Sequence, residues 1–171
     1  MIKFVFGIVV GIGLVVLAGY LFVARGGIFM GTDTKPLPME ERIAGAAITA
    51  SIGKSANEQP PLPADETNLQ AGAKLYMNIC AGCHGKLDQA DSGAKGFYPP
   101  PPALLPPGNG VTDDPVGAIH WVVKNGVRFS AMPRFGPKLS DTEIWQVSLL
   151  LKNADKLPDS VKESLRQPAQ Q

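Results

Sequence analysis

Both cysteines of the 171-residue chain fall in one pentapeptide, Cys80-Ala81-Gly82-Cys83-His84. C-x-x-C-H is the attachment signature of a c-type haem, because two thiols at this spacing can each form a thioether to a haem vinyl group. The histidine that follows then lies beneath the iron as its proximal ligand. Cys80, Cys83 and His84 are therefore the expected haem-binding residues, with one covalent haem c as cofactor. The other chemistries open to the motif fit less well. Zinc needs two further Cys or His ligands, and His120 is the only other histidine. A thioredoxin-like redox pair should follow a strand in a βαβ unit, whereas this motif closes a helix-like stretch.

The amino-terminal end carries a second strong constraint. Phe4 to Ala24, FVFGIVVGIGLVVLAGYLFVA, is 21 residues without a charge. As a helix it would be about 31 Å long, the thickness of a bilayer's hydrocarbon core. A cleaved signal peptide has a shorter apolar region and small residues before the cut. Here Phe22 stands where a second small residue belongs, and the chain begins at Met1 with the segment attached. Residues 1–25 are expected to be a retained single-pass anchor. Lys3 and Arg25 flank it on opposite ends, so the charge rule for orientation nearly ties. Gly7 and Gly11 make one GxxxG within the span, with Ala18 and Gly19 further along, a spacing that would admit a partner transmembrane helix. Glycine is common in membrane helices, so the motif alone is weak evidence for such a partner.

Residues 26–64 lack the apolar density for a core and are punctuated by Gly26-Gly27 and by Pro36, Pro38, Pro60, Pro61 and Pro63. They read as a linker with a short helix near 39–52: Pro38 suits its first turn, Glu40 and Glu41 favour its positive end, and Gly53 stops it. Ile43, Ala47 and Ala50 form a narrow apolar stripe at helical spacing. Packing on the following domain or on the membrane surface would use that stripe; a floppy tether with a frayed helix is the alternative.

Residues 65–171 have ordinary single-domain size and balanced charge, eleven Lys/Arg against eleven Asp/Glu. That balance points away from nucleic acid and from a polybasic lipid-binding segment. The fold class expected is all-α. A first helix runs from Thr67 to Cys80, with Thr67 and Gln70 as a capping box and Leu69, Ala73, Tyr76 and Cys80 along one face. The second runs from about Pro115 to Asn125, capped by Asp113 or Asp114 and stopped by Gly126. The third opens on the box Ser140-Asp-Thr-Glu143 and turns Ile144, Val147, Leu150 and Leu151 to a core. A short terminal helix near 158–166 carries Val161 and Leu165, with Leu157 just before it.

An iron that only passes electrons is best closed by a sixth ligand. Met132, on the loop Ser130-Ala131-Met132-Pro133 after the second helix, is the best-placed distal candidate, with Pro133 stiffening the chain behind it. Its thioether would raise the reduction potential relative to a second histidine. The ordinary use of a methionine is to fill a core gap, as is expected of Met77. His120, inside a helix beside Trp121, is the lesser candidate, with a surface or packing role expected.

These residues together resemble the membrane-anchored, mono-haem class I c-type cytochromes. The resemblance covers about 65–155 and rests on three features. They are the run Gly72-x-x-x-Tyr76-x-x-x-Cys80-x-x-Cys83-His84-Gly85, the segment WVVKNGVRFSAMP from Trp121 to Pro133, and Trp145 on the third helix. It implies three to four helices around one covalent haem, with the first and last crossing near Gly72 and Trp145. It also implies that Pro102 offers its carbonyl to the Nδ1 of His84 while Leu104 packs on the haem, although the preceding run Tyr98-Pro99-Pro100-Pro101 leaves the register open by one or two prolines. Haem attachment in the family places the domain on the periplasmic side of a bacterial cytoplasmic membrane.

The activity implied is one-electron transfer between membrane-bound redox partner complexes, not catalysis. A fixed haem subunit of a larger oxidoreductase complex is the alternative. A haem enzyme or gas sensor with an open distal site is a more distant one, since it would need distal acid–base residues. Lys86, Lys95, Lys124, Arg134 and Lys138 would form a weak docking ring, diluted by Asp88 and Asp91. The loop between His84 and Pro102, with Gly93 and Gly96, is of uncertain path. Tyr76, Phe97, Trp121, Phe129 and Phe135 are candidates to line the haem pocket or simply to fill the core, and Arg128 to neutralise a propionate.

Overall fold

Among the described residues there is no strand, and seven α-helices carry the chain. The structure is a computed structural model that describes residues 1–28, 30–33, 35–89, 94–108 and 110–166. Its contacts divide it into two units, Met1–Lys35 and Pro36–Gln171.

The first unit is essentially one helix, α1 (Ile2–Ala24), with no buried residue and a mean hydropathy of 2.5 over its most apolar window. A helix that is apolar all round has no polar face to give to water, and this one is long enough to cross a membrane. It stops at Arg25, whose N–H donates to the carbonyl of Leu21, and at Gly26, which takes a φ of +79°.

The second unit begins with α2 (Glu40–Ile52), which tightens into a 3₁₀ turn at Gly53–Asn57. Next come α3 (Glu66–Leu75), a π-type turn at Tyr76–Cys80, and the single helical turn α4 (Ala81–His84). After a long loop follow α5 (Val116–Asn125), α6 (Asp141–Lys152) and α7 (Asp159–Arg166).

Local signals account for most ends. Ser140 and Glu143 form the reciprocal capping box at the start of α6. The start of α3 differs from the sequence expectation. Asp65, not Thr67, is the N-cap, its carboxylate accepting from the N–H of Asn68 at 2.9 Å. An Asp at this position outcompetes a threonine two residues later, because it meets the first free N–H groups as an anion at the positive end of the helix. Asp113 and Asp114 do not cap α5; Pro115 precedes it without a side-chain cap.

The core lies where α3, α5 and α6 meet and α7 closes over α3. Tyr76, Ile144, Leu150, Val161 and Leu165 are among its fully buried side chains. Each such aliphatic side chain contributes roughly 1.5–3 kcal/mol by leaving water. At Gly72, α3 and α6 touch backbone to backbone: a Cβ there would stand 2.4 Å from the carbonyl oxygen of Gln146 and 3.2 Å from Leu150 Cβ. Trp145, one residue earlier, turns instead to α5. Lys152 fastens the far end of α6 to the loop before α5 by donating to the carbonyls of Thr112 and Asp114.

Candidate functional site

Cys80, Cys83 and His84 sit within one π turn and one helical turn, so a single short stretch presents two thiols and an imidazole together. Both cysteines are free thiols; Cys80 is half-buried and Cys83 exposed. Burial, reinforced by Cys83 alongside, pushes the Cys80 thiol up to about 12. Gly82 between them would meet nothing within 4 Å of a Cβ, so the surface across the motif stands open. Tyr76 braces this turn from inside the core. Its buried hydroxyl donates to the carbonyl of Gly85 at 2.8 Å. Burial, and then Cys80, raise its phenol well above the ordinary range, so it stays protonated as a donor.

The imidazole of His84 is oriented by the chain opposite. Its Nδ1 lies 2.8 Å from the carbonyl oxygen of Pro102. A carbonyl only accepts, so Nδ1 carries the proton and Nε2 is left with a free lone pair. A proline has no N–H and a fixed φ, which suits a segment whose task is to hold one carbonyl in place. Two residues on, buried Leu104 donates its N–H to the carbonyl of His84 at 3.4 Å. The loop thus meets the motif twice, at the side chain and at the backbone of the same histidine.

Met132 belongs to a loop clamped on the end of α5. Gly126 ends that helix with φ +70°, and a Cβ on it would stand 2.7 Å from Arg134 N and 2.8 Å from Met132 O. Only glycine permits both the conformation and the approach. Val127 then donates to the carbonyl of Met132 at 3.1 Å, and Phe135 and Gly136 return to the carbonyls of Val123 and Lys124. Ser130 ties the turn with its hydroxyl, which donates to Val127 O and accepts from Met132 N. Met132 itself is half-buried. Met77 is buried in the core cluster.

The remaining candidates separate clearly. His120 is buried, at 3% exposure, and faces away from solvent into a stack on Trp145, with centroids 3.9 Å apart and planes 14° from parallel. Its Nε2 donates to Asp141 Oδ1 at 3.1 Å, and the same oxygen accepts from Lys124 Nζ at 2.7 Å. Trp145 Nε1 donates to the other oxygen, Oδ2, at 3.1 Å. Burial holds the His120 imidazole below its ordinary range despite the neighbouring carboxylate. The hydrogen bond from Lys124 holds Asp141 below the usual carboxylate range. This network, which joins residues more than twenty positions apart, is invisible to periodicity.

Phe135 packs against the core, while Trp121 is half-buried. Phe97 and Arg128 are exposed, and Phe129 is 93% exposed at a φ of +59°. Of the docking-ring cations, Lys95, Lys124, Arg134 and Lys138 are exposed and Lys86 is half-buried. Asp88 is held in an ion pair by Arg166 at 2.9 Å. Asp91 and Gly93 lie outside the described residues.

The residues present fit a covalent haem: two free thiols on adjacent turns, and an imidazole whose Nδ1 is already engaged so that Nε2 can bind iron. The family comparison agrees. Residues 67–149 match the family model for cytochrome c oxidase, cbb3-type, subunit III. That region is a c-type cytochrome domain, and its cofactor is covalently bound haem c. The chain thus carries a c-type cytochrome domain together with an N-terminal helix long and apolar enough to cross a membrane. No curated protein and no solved structure gives a significant match to it.

Proposed function

We propose that the protein is a membrane-tethered electron carrier whose haem would be held through Cys80 and Cys83, with His84 and Met132 as the residues that would bind its iron. The observation that carries this reading is the 2.8 Å approach of His84 Nδ1 to the carbonyl of Pro102, which aims Nε2 away from the loop and free for iron. The haem iron supplies a ferrous–ferric couple that passes one electron without making or breaking a covalent bond. The chain's own part is to hold the ligands still. Pro102 fixes the imidazole plane and strengthens it as a ligand by accepting the hydrogen bond from its Nδ1–H. Tyr76 and Gly85 brace the backbone beneath it. Gly126 and Ser130 hold the Met132 loop against α5, so the thioether is presented from a rigid support. Leu104, buried two residues after Pro102, would pack along the haem.

On this reading the domain faces the periplasm and exchanges electrons with membrane-bound redox complexes. Association as a fixed subunit is a second reading, and two observations favour it: the matched family is described as a subunit of an oxidase, and Gly7 and Gly11 lie open on α1 for a partner helix.

The optical spectrum of the purified protein, oxidised and reduced, before and after carbon monoxide, tests the ligation. A covalent-haem spectrum with a methionine-to-iron charge-transfer band and no response to carbon monoxide is expected. A reduced spectrum that shifts on adding carbon monoxide would show an open sixth position and remove Met132 as a ligand.

A further inference from the structure

Residues 36–64 do not hang free: they meet the haem domain at separate places. At one end of α2, the phenol of Tyr98, on the loop that leads to Pro102, is raised by burial and by the carboxylates of Glu40 and Glu41 nearby. Beyond the other end, the 3₁₀ turn lies on the first turn of α5. A Cβ on Gly117 would stand 2.2 Å from the carbonyl oxygen of Ser55 and 2.9 Å from those of Ala56 and Glu58. Three consecutive or near-consecutive carbonyls against one Cα is a contact that any larger residue would abolish. Ile48 and Ile52 are half-buried, on the side of α2 opposite exposed Ile43. Further on, Leu62 packs against the hydrophobic core cluster.

We infer that residues 36–64 form a strap fixed to the haem domain, so that residues 25–35 alone serve as the tether to the anchor. This inference deepens the electron-carrier reading and rests on it. The difference in reach is large. A chain of 25–64 can extend to about 140 Å, and 25–35 to about 40 Å at ~3.5 Å per residue. As flexible coils the two would have root-mean-square spans of about 35 Å and 18 Å. A carrier on the shorter tether exchanges electrons only with partners whose haem- or copper-bearing surface stands close to its own anchor. It fits a membrane-embedded oxidoreductase at its side better than two complexes set far apart.

Hydrogen–deuterium exchange on the full-length haem protein in detergent tests the strap. Peptides spanning 40–58 are expected to exchange at least ~100-fold more slowly than the same sequence as a free peptide. In Gly117→Ala that protection should vanish over 53–58, while α5, α6 and the haem spectrum stay as in wild type. Alanine favours helix more than glycine does, so α5 itself is not weakened by the change. Wild-type exchange at the free-peptide rate over 40–58 would overturn the strap whatever the haem does, and if the variant misfolds the wild-type profile decides alone. A wild-type protein without a covalent-haem spectrum would instead refute the carrier reading and leave the exchange result to stand by itself.

Discussion

Gly126 is the residue on which the distal side turns, because two demands coincide there: a φ of +70° and a backbone within 3 Å on the side where a Cβ would sit. Gly126→Ala should cost about 2 kcal/mol or more, the left-handed strain of roughly 1–2 kcal/mol plus displacement of the Met132 loop. It should also weaken the methionine-to-iron band, read together with the urea midpoint; a variant with wild-type stability and band would show that the loop is not seated on α5. Met132→Ala should bind carbon monoxide in the reduced state, with the covalent attachment intact.

His120 makes a different kind of prediction. Its folded-state pKa lies below that of an unfolded histidine, near 6.5, because burial outweighs Asp141. The stability this represents is complete above about pH 6.5 and is lost as pH falls below it toward the lower native value. Thermal midpoints of wild type should therefore decline as pH falls below about 6.5, and His120→Gln should flatten that decline. A variant that keeps the full slope would place the sensitive group elsewhere.

At the scale of elements, the crossing of α3 and α6 is held by the absence of a side chain at Gly72. Gly72→Ala should push the helices apart and cost roughly 1–3 kcal/mol in chemical denaturation, with little change at α2. Elements whose signals are local were legible in the sequence. The box Ser140–Glu143, the stop at Gly126 and the apolar face of α6 all depend on residues within four positions of one another. The cap of α3 was misplaced because Thr67 and Gln70 mimic a capping box that Asp65 pre-empts. Contacts that join distant residues left no periodic trace: the stack of His120 on Trp145, the carbonyls of 55–58 on Gly117, and the hydroxyl contacts that pin α7 to α3 through Gln70–Ser164 and Glu66–Ser160. The attachment motif was plain from spacing alone, while the pairing of His84 with the backbone carbonyl of Pro102 was not, since a run of prolines offers several carbonyls in nearly the same sequence setting.

For the whole molecule, the haem domain's eleven basic and eleven acidic residues leave little long-range field to steer a partner. Its association rate with a redox partner should change less than about tenfold between low and physiological ionic strength, in contrast to strongly charged carriers. Stopped-flow reduction across a salt series measures this directly, and a steep dependence would reveal a one-signed docking face that the overall balance conceals.

The meeting of Gly72 with Gln146 has a kinetic side as well. It closes a loop of roughly seventy residues, at an entropic cost of about 4 kcal/mol that local turns do not bear. Contacts of such sequence separation are slow to form, and the C-x-x-C-H motif lies inside the loop that this one completes. Cys80, half-buried in the folded domain, is thus most accessible to attachment in the interval between synthesis of the chain and the arrival of its last long helix, whereas Cys83 stays exposed throughout.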